Sequence, residues 1–340
     1  MTAFATATGV GSWPGSSARE ASEVIVGELH HLPHLVELPD RGVGADLIGR
    51  AGALLVDIAI DTVPRGYRIA PGRRSVTRRA ASLLDEDVDA LEEAWEKAGL
   101  RGSRRPVKMQ APGPVTLAAH LELAGGHRAI TDPGAVRDLT RSLAEGVAAL
   151  RAQLMRRLDA AAVVVQFDEP SLPAALAGRL TGVTGLSAVH PVEPAVVVEL
   201  LDECVTVVGG DVAVHSCAAG LPWKLLQRTM LAAVSVDVHA LTPADLDGLG
   251  EFIESGRAVL LGAVPAVPGA GSGAPLSAAQ VATTVAGVTD RLGFSRTVLR
   301  DRVGVTPACG LASATEWWAR TAIELAQLAA DALADDPEAI

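Results

Sequence analysis

Eight short apolar or β-branched runs recur along the chain, at residues 5–11, 35–38, 107–111, 162–167, 211–214, 233–238, 258–264 and 303–307. Each has the length of a strand and stops short of a helix. Between most of them the apolar positions change period. In 132–160, Leu139, Leu143, Val147, Leu150 and Leu154 return at helical spacing. Residues 195–205, 222–231 and 278–292 read the same way, and 315–334 forms a last helix. Alternation of strands and helices implies parallel strands joined by right-handed crossovers. Eight such units favour closure over an open sheet. The expected fold is therefore α/β, a (β/α)8 TIM barrel forming a single domain over 1–340.

The alternation is interrupted once. About seventy residues separate the second run from the third, with a helical stretch at 44–59 and an acidic one at 85–98. The segment between them, 63–79, is rich in Arg and Gly and reads as an exposed loop, so the whole is expected to be a long insertion after strand 2, lying over one face of the barrel. A second loop, 265–275, is built almost wholly of Pro, Gly, Ala and Ser and reads as mobile. No internal repeat or linker divides the chain.

Composition narrows the function classes. With 29 basic against 40 acidic residues the net charge is −11, which disfavours a nucleic-acid surface or an anionic membrane as partner. The first residues lack a basic start followed by an apolar block, so no secretory signal is expected. No apolar run approaches the ~20 residues that span a bilayer. Three cysteines cannot form a disulfide framework and suit a reducing compartment. A soluble, cytoplasmic protein is the expectation.

In a barrel of this kind, active sites are built from loops at the C-terminal ends of the strands. The polar residues at those ends are Ser12 within Gly11-Ser12-Trp13-Pro14, Glu37, the stretch Gly113-Pro114-Val115-Thr116, Asp168 within Asp168-Glu169-Pro170, His215 with Cys217, Asp237, and Cys309. Two thiols and an imidazole are the donors tetrahedral zinc prefers, and a carboxylate can complete the shell. Each piece also has an ordinary reading. Asp168 and Asp237 could cap helices, Glu37 could be a solvated loop residue, and a lone His-x-Cys is usually nothing. Cys204, inside a helical stretch, reads as a small buried hydrophobe. What carries weight is that all the candidate chemistry falls at one end of successive strands.

These residues resemble a known family. Val10–Pro14, Pro112–Thr116, Gln166–Pro170, His215-Ser216-Cys217 and 307–311 together resemble the catalytic C-terminal half of cobalamin-independent methionine synthase, in the superfamily that also holds uroporphyrinogen decarboxylase. The resemblance covers almost the whole chain. It implies a zinc site on His215, Cys217, Asp237 and Cys309. It also implies homocysteine binding through Ser12, Glu37 and Asp168, the last two being the candidate catalytic carboxylates. The activity implied is an S-methyltransferase that makes methionine from homocysteine. A free thiol of pKa about 8.5 is mostly protonated at neutral pH, and coordination to zinc turns it into a nucleophile.

Three departures from the family pattern stand out. Asp237 replaces the usual Glu and is one methylene shorter. The segment 264–275 contains no His, where the folate enzymes carry an Asp-x-His element. The family's folate-binding N-terminal half has no counterpart in this sequence. The methyl donor is accordingly expected to be either methyltetrahydrofolate or a methyl-corrinoid. The other readings are a different small thiol as acceptor, or a non-catalytic homocysteine-binding barrel. A porphyrin decarboxylase would need no metal and would leave His215, Cys217 and Cys309 without a role.

Overall fold

The computed structural model describes residues 2–72, 74–182, 189–269 and 275–340. From the N-terminus, α1 (Ala18–Glu28), a short 3-10 turn at Pro39–Arg41 and α2 (Leu47–Leu54) precede a hairpin of β1 (Ala59–Val63) and β2 (Gly66–Ala70). Then come α3 (Ser75–Lys97), β3 (Val107–Pro112), α4 (Pro114–His120), the two-residue β4 (Leu121–Glu122), α5 (Pro133–Leu158) and β5 (Val163–Asp168). The chain continues through α6 (Leu172–Leu176), α7 (Pro194–Val208), β6 (Val212–Ser216), α8 (Trp223–Leu226), β7 (Ala233–Asp237) and α9 (Pro243–Glu254). It ends with β8 (Ala258–Val264), α10 (Ala278–Arg291), α11 (Thr297–Arg302), β9 (Val303–Pro307) and α12 (Glu316–Asp335).

Among the described residues, six strands form one parallel sheet in the order β3-β5-β6-β7-β8-β9. Their Val-rich sequences are buried on both faces, as a sheet covered by helices requires. This is the part of the barrel pattern that forms regular strands. The first two apolar runs do not. They make single parallel bridges instead: Ala7 to Val305, Ser12 to Glu37, and His34 to Lys108. Backbone hydrogen bonds accompany them, from Trp13 N to the Glu37 carbonyl at 2.8 Å and from Leu35 N to the Lys108 carbonyl at 2.9 Å. Regular pairing fails here for local reasons. Pro33 has no N–H to give. Gly11 sits at φ +150°, and a Cβ on it would lie 2.7 Å from the Gln110 side chain.

Within the long insertion, the segment read as an exposed loop differs from that reading. Residues 63–79 contain β2 and the start of α3 rather than an exposed coil. Arg and Gly dominate the composition there, but Tyr67 turns inward, is buried, and accepts from Gly44 N at 3.0 Å while its hydroxyl bonds Asp46. β1 and β2 pair antiparallel from Ala59↔Ala70 to Val63↔Gly66, and β2 adds the short β4 in parallel. The helical stretch expected over 44–59 is confined to α2, where Asp46 caps the N-terminus by accepting from Ile48 N and Gly49 N. The acidic stretch 85–98 is the second half of α3, which packs beside α1, α2 and α5. Of the Pro/Gly loop at 265–275, residues 270–274 lie outside the described residues. Among the described residues no helix is long and apolar enough to cross a membrane.

Candidate active site

The parallel register sets the site. His215 is the fourth residue of β6, level with Asp168 of β5 on one side and Ser235 of β7 on the other. Cys217 lies just past the end of β6, and Cys309 two residues past β9. One ligand atom from each of His215, Cys217 and Cys309 lies within 4.8 Å of the others. The two sulfurs are 3.0 Å apart, and both cysteines are free thiols. The His215 ring is buried and its Nδ1 is bonded to Ser235 Oγ at 2.9 Å. That leaves Nε2 buried with no partner. An orphaned ring nitrogen costs free energy unless something completes it.

The two thiols are electrically unequal. Cys217 is pulled down to about 7, chiefly by the hydrogen bond from Cys309 that stabilises its thiolate. The same bond pushes Cys309 up to about 12, against a lowering contribution from His215. The hydrogen bond between the sulfurs thus favours ionisation of one thiol, Cys217, while the other keeps its proton. This is a donor set ready to lose protons to a soft metal.

Asp237 does not join these three. It is the last residue of β7, and its Oδ1 accepts from the backbone N of His239 at 2.8 Å. Its carboxylate borders a separate small recess with Ser216, Ala218 and Asp245. His239 is exposed. Cys204 is buried inside α7, where desolvation pushes its pKa upward.

Ser12, Glu37 and Asp168 line the same cavity as His215, Cys217 and Cys309, a space of about 300 Å³. Ser12 lies against Gly310, where a Cβ would come within 2.0 Å of its hydroxyl oxygen, so only glycine admits this approach. Glu37 is buried, not solvated, with Arg50 Nε 3.6 Å from its Oε1. Desolvation raises its pKa, while Arg50 and Lys108 act in the opposite direction. Oε1 has no hydrogen-bond partner. Asp168 is also buried and accepts from Gln166 Nε2 at 2.7 Å. Burial lifts it to about 7, opposed by His215 and Lys108. A larger cavity of about 500 Å³ between α5 and α7 contains none of the expected site residues. Chemistry rather than volume selects the site.

The two remaining motifs interlock. Glu169 points away from the cavity and is fully buried, where it accepts from Val115 N at 2.9 Å, Thr116 N at 2.8 Å and Thr116 Oγ1 at 2.6 Å. Gly113 at the head of α4 offers no capping side chain, so the carboxylate supplies the missing acceptors. Burial lifts Glu169 to about 7 despite these bonds. Lys108, Gln110, Arg50 and Asp87 form the network beside the acids, and none of them closes an apolar run as the other site residues do. The only signal for Lys108 is its place inside an apolar run, in a chain with Lys at just three positions, 97, 108 and 224.

Residues 4–332 match the family model described as the cobalamin-independent synthase, catalytic domain. Among solved structures, the fold is similar to that of a B12-independent methionine synthase from Shewanella sp. W3-18-1 in complex with selenomethionine, with a TM-score of 0.61 and 16% identity over 99% of this chain and 100% of that chain. That likeness bears on the fold. No curated protein matches the sequence. Matched over nearly its whole length, the chain belongs to the cobalamin-independent methionine synthase family, a family of homocysteine S-methyltransferases.

Proposed function

We propose that this protein transfers a methyl group to the thiol of homocysteine and releases methionine, using zinc held by His215, Cys217 and Cys309. The observation that carries the reading is the meeting of three soft donors, within 4.8 Å, at the wall of a cavity that also presents Ser12, Glu37 and Asp168. The donor set fits a metal because Nε2 of His215 is buried without a hydrogen-bond partner and the two sulfurs lie 3.0 Å apart, so that a cation could take the place of their protons. When bound there, zinc would supply a Lewis acid that keeps an incoming thiol ionised near neutral pH. Family membership supports homocysteine as acceptor.

The chain's own groups account for the rest. Glu37 and Asp168 offer negative charge to an α-ammonium, and the Ser12 hydroxyl offers a donor to an α-carboxylate. Asp168, with its proton affinity near neutrality, is suited to accept the proton the thiol sheds. Asp237 lies outside the cluster of His215, Cys217 and Cys309, and its Oδ1 is taken by the bond from His239 N, so three protein donors with an open fourth position are the arrangement we favour. We also read the fold as a closed (β/α)8 barrel in a single domain, since the bridges at Ala7, Ser12 and His34 join β9 to β3 through the N-terminal segment. Cytoplasmic residence agrees with the free cysteines.

The test is a methyl-transfer assay on metal-replete protein with homocysteine, comparing methyltetrahydrofolate with methylcobalamin. Methionine formed with either donor supports the reading and identifies the donor. Failure with both, in folded protein that retains metal, removes the catalytic reading. Tight homocysteine binding in that case would point to a binding barrel.

A further inference from the structure

Beneath the two acids lies a buried cation that the reading above leaves without a task. Lys108, on β3, is 1% exposed. Its ammonium faces three protein acceptors: the Val10 carbonyl at 3.0 Å, Gln110 Oε1 at 3.1 Å and Gln166 Oε1 at 3.1 Å. An ammonium has three N–H donors and accepts nothing, so Lys108 is saturated.

That one-sidedness dictates how both glutamine amides are turned. Each must direct its oxygen at Lys108 and therefore present its NH2 elsewhere. Gln166 Nε2 then donates to Asp168 Oδ1 at 2.7 Å and to the Val10 carbonyl at 2.8 Å. Gln110 Nε2 donates to the Leu35 carbonyl at 2.8 Å, two residues before Glu37. A flipped Gln166 would set its oxygen lone pairs against the Asp168 carboxylate. With a neutral side chain at 108, the oxygen end of the amide loses its donor, and only Asp168 and the Val10 carbonyl still hold Gln166 in this orientation.

We propose that Lys108 is a positioning residue: through the amides of Gln166 and Gln110 it fixes Asp168 and the Glu37 segment in the arrangement that selects a thiol bearing an α-amino group. The inference rests on the thiol-methyltransferase reading. The positive charge of Lys108 also repels a substrate ammonium. That repulsion acts across an intervening glutamine, whereas Gln166, whose amide Lys108 orients, bonds Asp168 directly, so the positioning effect dominates. A role confined to packing would weaken binding of every thiol alike.

The test compares homocysteine with 4-mercaptobutyrate, its counterpart without the amino group, on zinc-supplemented protein by calorimetry. Wild type should bind homocysteine at least about tenfold more tightly, the worth of one charge-assisted contact. Lys108→Met should lose about tenfold or more for homocysteine and less than about twofold for 4-mercaptobutyrate, with unchanged zinc content. Lys108→Arg, which keeps cationic donors, should recover part of the loss. Gln166→Glu keeps an acceptor for Lys108 but removes the donor to Asp168, so it should show the same selective loss, and it decides the matter if Lys108→Met does not fold. Equal losses for both thiols, or selectivity retained in both variants, would overturn the role of Lys108. Wild-type protein indifferent to the amino group would instead overturn the homocysteine reading itself.

Discussion

The thiol side of the cavity and its acid side differ in how far the protein has already bonded them. On the thiol side, His215 has one nitrogen fixed by Ser235, and the sulfurs of Cys217 and Cys309 are bonded to each other. Both cysteines are half-buried. On the acid side, Glu37 and Asp168 are buried above a network of fixed partners. Lys108 and Gln166 support Asp168, while Arg50 lies against Glu37 and bonds Asp87, which Arg41 also holds at 2.6 Å. The comparison separates two ways of presenting charge. Soft donors can stay loosely held because a metal would fix them on arrival. Two carboxylates in a shared low-dielectric space repel each other and need cations in place beforehand.

Breaking the ion network should have the largest effect. Arg50→Met leaves Asp87 and Glu37 short of a buried cation and should cost roughly 3 kcal/mol or more in denaturant unfolding; a loss below about 1 kcal/mol would show the network to be ornamental to stability. On the other side, Cys309→Ser should weaken metal affinity on the order of 100-fold with little change in unfolding. Metal analysis after dialysis checks this, and full zinc stoichiometry would make Cys309 a mere wall residue. Glu37→Gln should lower homocysteine affinity by about 10- to 100-fold at constant metal content. If calorimetry finds wild-type affinity, the ammonium is bound elsewhere.

The smallest effect concerns the loosely held side alone. A lowered pKa means that Cys217 ionises earlier as pH rises, so its alkylation in metal-free protein should reach half its maximum near pH 7 instead of near 9. Cys309, pushed up to about 12, and buried Cys204 should stay slow across that range. Peptide mapping by mass spectrometry distinguishes the three. Half-reaction of Cys217 near pH 9 would mean that the hydrogen bond from Cys309 does not form in solution.

Legibility in the sequence followed burial. The six regular strands of the sheet could be read because a strand covered on both faces is a continuous apolar run. The hairpin at β1 and β2 could not, because Arg and Gly around Tyr67 and Ile69 mask the alternation. Ser12, Glu37, Asp168, His215, Cys217 and Cys309 stood out as polar residues closing apolar runs, and the cavity contains all six. Arg50 within a helix and Lys108 within a strand gave no comparable sign, since Asp87 lies 37 positions from Arg50 and Gln166 lies 58 from Lys108 along the chain. Asp237 was readable as a donor type, but its bond to His239 N within its own loop was not.

The sequence by itself determined which donor atoms exist and at which strand ends they stand, because periodicity and side-chain chemistry are local properties of the chain. Only the tertiary structure decided which of them meet. The meeting depends on the stagger between parallel strands, which levels His215 with Asp168 and Ser235, and on the bridges that bring Ser12 and Glu37 back beside β3 and β9. It also turned Asp237 to its own loop and set Lys108 under the acids. Stagger and closure arise from contacts between residues far apart in the chain, and no local pattern of apolar and polar positions encodes them.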